Sequence, residues 1–209
     1  MDTFKYYYFK VNARGGMARA ILSYAKANWE DAIVDHATWA QMKQSDLPEF
    51  KQLPVLVHGD KKLAQSRAIE IYLAKLFKIY GDNVEQEYQI DSLLCSFEDV
   101  FIPFHDVFWP NTEELKNNLE KNKAITIEKF KTLLNVCENR YVNNGKGKYF
   151  LGEKFTLADI YVAFALTYFD DCLKEKLLET NAPNVNELIK RIKENELKEF
   201  FEKYYNKGL

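Results

Sequence analysis

The pair Gln65-Ser66 stands where an extended segment gives way to an apolar helical pattern, with Leu53-Pro54-Val55-Leu56 just upstream. Together the two pieces read as strand, turn, strand, helix. A helix start exposes unpaired backbone N–H groups and the positive end of a dipole, so it suits an anion such as a carboxylate. Ser66 is placed to cap that helix through its hydroxyl. Gln65 adds an amide that both donates and accepts. The Leu-Pro-Val-Leu run suits a fixed, cis-capable proline turn, whose neighbouring backbone is left to pair with an extended ligand. These features point to a pocket for a small peptide carrying a free carboxylate.

The flanking patterns say where this junction sits. Residues 4–9 are an aromatic strand, in which Tyr6 and Tyr8 share one face and Tyr7 takes the other. Residues 14–27 carry Met17, Ala20, Ile21, Tyr24 and Ala25 at helical spacing. Ala32-Ile33-Val34 reads as a short strand and residues 38–49 as a polar, weakly patterned stretch. Residues 54–57 and 62–63 form a hairpin around His58-Gly59-Asp60-Lys61. Residues 66–77 are helical, with Ile69, Leu73 and Leu76 on one face. The order β-α-β, loop, β-β-α predicts a small sheet with helices packed on it, its first two strands parallel across a helical crossover. After a linker at 79–83, helical patterns run over 84–108 and 113–141, and Asn143-Asn144-Gly145-Lys146-Gly147 breaks the second.

Near residue 156 a second local signal appears. Thr156 and Asp159 have the spacing of a capping box, with aspartate in place of the usual glutamate. Phe155 and Ile160 are placed for the accompanying hydrophobic staple. Residues 160–166 are apolar nearly all round, which predicts a central buried helix with a structural role.

Composition narrows the function classes. The 209 residues suffice for one large domain or two small ones, and 47% of them are hydrophobic, enough for a full core. Mean hydropathy is -0.40 and the formal net charge is -2, so no basic surface argues for nucleic acid. No apolar run approaches the ~18 residues that span a bilayer. Met1-Asp2-Thr3-Phe4-Lys5 lacks the charged head and apolar stretch of a signal peptide. Cys95, Cys137 and Cys172 form no CxxC motif, which fits a reducing cytoplasmic location. Cys95 and Cys137 fall in helical patterns and read as packed thiols. No metal site is read: Glu98-Asp99 has no further ligands at metal spacing. His36, His58 and His105 show no partners that would give them chemistry.

The chain resembles cytosolic glutathione transferases, most closely the sigma class. The likeness is carried by Tyr8-Phe9 with Arg14 and Arg19 following, Trp29-Glu30-Asp31, Thr38-Trp39, Lys43, Leu53-Pro54-Val55-Leu56, Gln65-Ser66-Arg67-Ala68-Ile69, Glu98-Asp99 and Thr156-Leu157-Ala158-Asp159. Their order over most of the chain implies an α/β thioredoxin-like N-terminal domain at 1–78, which binds glutathione. It implies an all-α C-terminal domain at 84–209, which supplies the electrophile pocket and the contacts of a homodimer. By the same resemblance Tyr8 is the catalytic hydroxyl, with Arg14 beside it. Trp39, Lys43 and Gln52 contact the glycine end of glutathione, and Leu53, ahead of cis Pro54, pairs with its cysteinyl backbone. Gln65 and Ser66 hold the γ-glutamyl carboxylate, and Asp99 reaches the partner subunit's ligand. Where the family pattern has an arginine and a glutamate after the tyrosine, this chain has Asn12 and Gly16.

The implied chemistry is thiol activation. A thiol with a pKa near ~8.5 is mostly protonated at neutral pH, and the thiolate is the nucleophile. A tyrosine O–H aimed at the sulfur stabilises the anion through a charge-assisted hydrogen bond, and Arg14 favours the same charge state. An apolar second pocket would admit small hydrophobic electrophiles in a detoxifying conjugation. Its expected walls are Phe9, Val11, Phe104, Phe108 and Trp109. The alternatives are a glutathione-dependent isomerase or peroxidase on lipid-derived substrates, and a catalytically weak ligand-binding or structural member of the same fold.

Overall fold

β1, Thr3–Tyr8, alternates as its sequence demands. Phe4, Tyr6 and Tyr8 are buried while Lys5 and Tyr7 are partly open. A computed structural model of the chain describes residues 3–205. They divide into two compact units, one running to Tyr80 and taking in the residues from Lys193 on, the other Gly81–Ile192. The resemblance counts the residues after Lys193 with the C-terminal domain; in the structure α11, Lys198–Lys203, packs on α1, Gly16–Tyr24. There Trp29 meets Tyr204 at a ring separation of 5.0 Å.

The first unit is built on a mixed sheet in the order β2-β1-β3-β4. β2 is Asn28–Ile33, β3 Val55–His58 and β4 Lys61–Ala64. β1 and β2 are parallel, joined through α1, as expected; β3 and β4 run antiparallel. His58 pairs directly with Lys61, so the hairpin connection is the two residues Gly59-Asp60, tighter than the four-residue turn the sequence suggests. Ile69, Leu73 and Ala74 bury one stripe of α3, Ser66–Leu76, but Leu76 is 43% exposed and lies off it. The stretch expected to lack pattern contains a short helix, α2, His36–Met42. Asp35 caps it, accepting from the Thr38 N–H at 2.7 Å.

The second unit is helical among the described residues. α4, Val84–Phe108, starts at Asn83, whose side chain accepts from the Gln86 N–H at 3.0 Å, and continues through Pro103. It buries Ile90, Leu93, Leu94, Phe97, Val100, Phe101 and Phe104. Cys95, expected to be packed, is exposed on the opposite side of this helix. The single helix expected over 113–141 is two, α5, Glu113–Asn117, and α6, Leu119–Asn143, hinged at Asn118 with φ -112° and ψ 19°. The capping box at Thr156 and Asp159 is formed. It opens α7, Leu157–Tyr161, which passes through a π-helical turn at Val162–Leu166 into α8, Thr167–Leu173. Every residue from Leu157 to Phe169 is buried, so this is the central helix of the unit. Asp159 lies at its head, accepting from the Phe150 N–H at 2.7 Å and the Thr156 N–H at 2.8 Å. α9, Leu177–Asn181, and α10, Pro183–Glu194, follow. The Glu138 carboxylate accepts from the Asn184 and Val185 N–H groups at 3.1 and 3.0 Å, which serves the open N-terminus of α10.

Candidate active site

Strand register brings three separated segments to one end of the sheet. Tyr7 stands opposite Val55, and Val55 opposite Ala64. One step further along each strand lie Tyr8, Pro54 and Gln65, and Ser66 opens α3 immediately after. β2 ends in the same place, Ile33 beside Tyr8, with the Val34 N–H donating to the Tyr8 carbonyl at 2.9 Å.

The Leu53-Pro54 peptide is cis, as the run suggests, with Pro54 buried and Leu53 half-buried at the entrance to β3. Gln65 takes the left-handed region at φ 69°, and its exposed side chain makes no capping bond. Ser66 was expected as the cap. The chain reaches helical geometry one residue sooner than that, because Gln65 makes the turn. Ser66 is therefore the buried first residue of α3, and its N–H belongs to the free donors of the first turn.

Tyr8 is 7% exposed. The backbone N–H of Arg14 reaches its hydroxyl, and the Arg19 guanidinium lies 5.7 Å from its ring centre. Gly15 closes against the ring from the other segment: a β-carbon there would stand 2.2 Å from Tyr8 Cδ1. Burial pushes the Tyr8 hydroxyl above the ordinary tyrosine value, while the Arg14 N–H and the charges of Arg14 and Arg19 pull it back. The group is thus a neutral O–H donor at physiological pH, suited to hold a neighbouring anion.

Around Tyr8 the aromatic contacts run outward. Phe9 is 5.6 Å from the Tyr8 ring, 5.6 Å from His36 and 6.3 Å, edge-on, from Trp39. Phe9, Val11 and Trp39 are half-buried, and Lys43 ends α2 one turn beyond Trp39, its side chain exposed with that of Gln52. Register and α2 therefore gather Tyr8, Arg14, Trp39, Leu53, Pro54, Gln65 and Ser66 in one unit. His36, given no role from the sequence, stands in the same aromatic row.

In the second unit Phe104 is fully buried and packs against Phe108 at 4.5 Å and Trp109 at 6.1 Å. It was expected as a pocket wall. It backs Phe108 and Trp109 instead, which stay half-open, because it falls on the core stripe of α4. Asp99 is exposed on α4 and borders a cavity of about 360 Å³ between α4 and α6, together with Ser96, Val100, Lys129 and Leu133. Among the described residues no group of three or more His, Cys, Asp or Glu side chains gathers as a cation site. No described helix is long and apolar enough to cross a membrane.

Two residues near Tyr8 escaped the sequence reading of the site: Arg19 and Asp31. Arg19 is 2% exposed inside an apolar helix pattern, and a charge in such a place demands partners. Its presence on the buried stripe of α1 was the available signal.

Comparison with known proteins agrees with this architecture. Residues 2–75 match the family model described as glutathione S-transferase, N-terminal domain, and residues 98–204 that of the C-terminal domain. A glutathione S-transferase of Anopheles gambiae is 30% identical over 201 residues, covering 94% of this chain and 93% of its own. The crystal structure of monomeric Na-GST-3, a glutathione S-transferase from the hookworm Necator americanus, superposes with a TM-score of 0.84 at 27% identity over 98% of each chain. A Fasciola hepatica sigma class enzyme superposes with a TM-score of 0.80 at 25% identity, again over 98% of each. With a thioredoxin-like sheet domain, a helical partner domain and glutathione as co-substrate, the chain belongs to the glutathione S-transferase family and is a glutathione transferase.

Proposed function

We propose that the chain conjugates glutathione to small hydrophobic electrophiles, with the Tyr8 hydroxyl donating to the glutathione sulfur and holding it as a thiolate. The observation that carries this reading is Tyr8 itself: a buried hydroxyl at the end of the sheet where Pro54 and the start of α3 also lie. Arg14 adds positive charge beside the developing anion. Catalysis then needs no covalent intermediate, only a lowered thiol pKa and a held electrophile.

In this reading the γ-glutamyl carboxylate sits at Gln65 and Ser66, over the free N–H groups of α3. The cysteinyl backbone pairs with Leu53, and the glycine carboxylate meets Trp39, Lys43 and Gln52. Phe9 and Val11, half-buried beside Tyr8, form the wall that meets the electrophile. The likeness to the Fasciola enzyme supports a sigma-class affinity. The chain works as a homodimer in which Asp99 meets the partner subunit's ligand. The hookworm relative is described as monomeric, so sedimentation in solution is the check on that point. Three free cysteines fit the cytoplasm as its place of work.

The test is glutathione-dependent conjugation of a generic aryl halide by wild type beside Tyr8→Phe, with thermal shift by glutathione in parallel. A ligand bound only by the native state raises the midpoint. Turnover that collapses in Tyr8→Phe while the glutathione shift persists supports the mechanism. Equal turnover in both proteins would remove Tyr8 from it. Binding without turnover in wild type would replace the transferase reading with a ligand-binding one.

A further inference from the structure

Arg19 is an unusual residue to find inside a small core. Its Nε donates to both carboxylate oxygens of Asp31 at 3.0 Å each, one amino nitrogen to the Val11 carbonyl at 2.6 Å, and the other to the Phe9 carbonyl at 2.9 Å. The guanidinium faces the rings of Tyr6 and Tyr8 at 5.8 and 5.7 Å. One planar group thus ties α1, strand β2 and the segment that follows Tyr8. Only a fork of fixed geometry makes these contacts at once; a lysine ammonium could not.

We propose that Arg19, with Asp31 as its counter-charge, is the positioning residue of the site: it holds Tyr8 and the Phe9–Val11 segment as one rigid body, so that hydroxyl and electrophile wall keep a fixed separation. The inference rests on the reading of Tyr8 as the thiol activator. It adds a residue that touches neither reactant yet sets where both are held.

Geometry also gives Arg19 an electrostatic hand on Tyr8. The charged and titratable groups around that ring are Arg14, Arg19 and Tyr6; Asp31 stands behind Arg19, and Glu70 of α3 faces Tyr6. Arg19 pulls the buried hydroxyl down, and Asp31 offsets part of the Arg19 charge. Removing the two partners one at a time should therefore move Tyr8 in opposite directions. General loosening of the fold would not.

The experiment compares Arg19→Met and Asp31→Asn in the full chain, each alone and with Tyr8→Phe. The Tyr8 titration is read as the ultraviolet difference between each protein and its Tyr8→Phe counterpart. Arg19→Met should raise the midpoint by about one pH unit and Asp31→Asn should lower it. In conjugation, Arg19→Met should lower kcat by up to about 100-fold, with the KM for glutathione little changed. The same substitution made on Tyr8→Phe should remove little more. No shift, shifts of one sign, or an undiminished loss on Tyr8→Phe would each overturn the proposal. Should Arg19→Met fail to fold, Asp31→Asn decides alone: a downward shift supports the proposal, and none or an upward one rejects it. The titration uses no glutathione, so an enzyme without turnover would refute the conjugation reading and still answer for Arg19.

Discussion

Gly15 and Tyr8 are in such close contact that the ring of one occupies the space where the other would carry a side chain. An added β-carbon would meet Tyr8 Cδ1 at 2.2 Å, Cε1 at 2.8 Å and Cγ at 2.9 Å. The backbone of Gly15 is ordinary, φ -91° and ψ -22°, so glycine is required there for room and not for conformation. Gly15→Ala should leave the local turn intact and displace the ring. We expect a loss of about 1–3 kcal/mol in stability by urea unfolding, as for other overpacked sites. A conjugation rate falling by about tenfold or more should accompany it. Unchanged kinetics would show that the ring position does not limit the reaction.

Tyr8 titrates above the ordinary tyrosine value, so it stays protonated across the working range. The alkaline rise of kcat/KM should then report the bound glutathione thiol, not the phenol. In Tyr8→Phe that rise should move toward the free thiol value near ~8.5, with a loss of about 100-fold near neutral pH. Thiolate absorbance of the binary complex across pH, in both proteins, measures the shift directly.

Asp159 gives the fold a pH dependence of its own. Burial pushes its carboxyl up to about 6, against the N–H bonds from Phe150 and Thr156 that favour the charged form. In the unfolded chain an aspartate titrates near ~3.9. Between those values the native state holds a proton that the unfolded state has lost. The contribution is therefore full below pH ~4 and is lost as pH rises through about 6, an effect of about 3 kcal/mol. Urea unfolding between pH 4 and 8 should show this fall, and Asp159→Asn should flatten it. A slope that survives the substitution would assign it to another group.

Glu138 serves the N-terminus of α10 from a distance in sequence, through the Asn184 and Val185 N–H groups. Glu138→Ala leaves those donors without their acceptor and should cost about 1–2 kcal/mol. Glu138→Gln, which keeps one carbonyl oxygen, should recover part of it. Hydrogen exchange at residues 184 and 185 distinguishes a lost cap from a general effect.

Much of this was legible before any coordinates. The alternation of Phe4, Tyr6 and Tyr8 against Lys5 and Tyr7 declares a strand, because burial and side-chain direction share a period of two. The Thr156 and Asp159 pair declares a helix start because its chemistry is local. Helix α2 went unseen since none of its residues is buried, leaving no apolar stripe to read. The break at Asn118 is hidden because Leu115 and Leu119 keep helical spacing across it. Phe104 was misplaced because an aromatic residue on a helix looks alike whether it faces a core or a cavity. The gathering of Tyr8, Pro54 and Ser66 depends on which strands pair and in what register, which local patterns do not state. Arg19 was visible as a charge in an apolar stripe, but its four acceptors come from two other segments, β2 and residues 9–11.

The two-residue turn at Gly59-Asp60 lies at the opposite end of the sheet from Tyr8, since His58 pairs with Phe4. A β-carbon at Gly59 would meet nothing within 4 Å, and Asp60 is exposed. New chain ends, a fluorophore or an affinity handle can be grafted there, with the whole length of the sheet between the graft and the reacting sulfur.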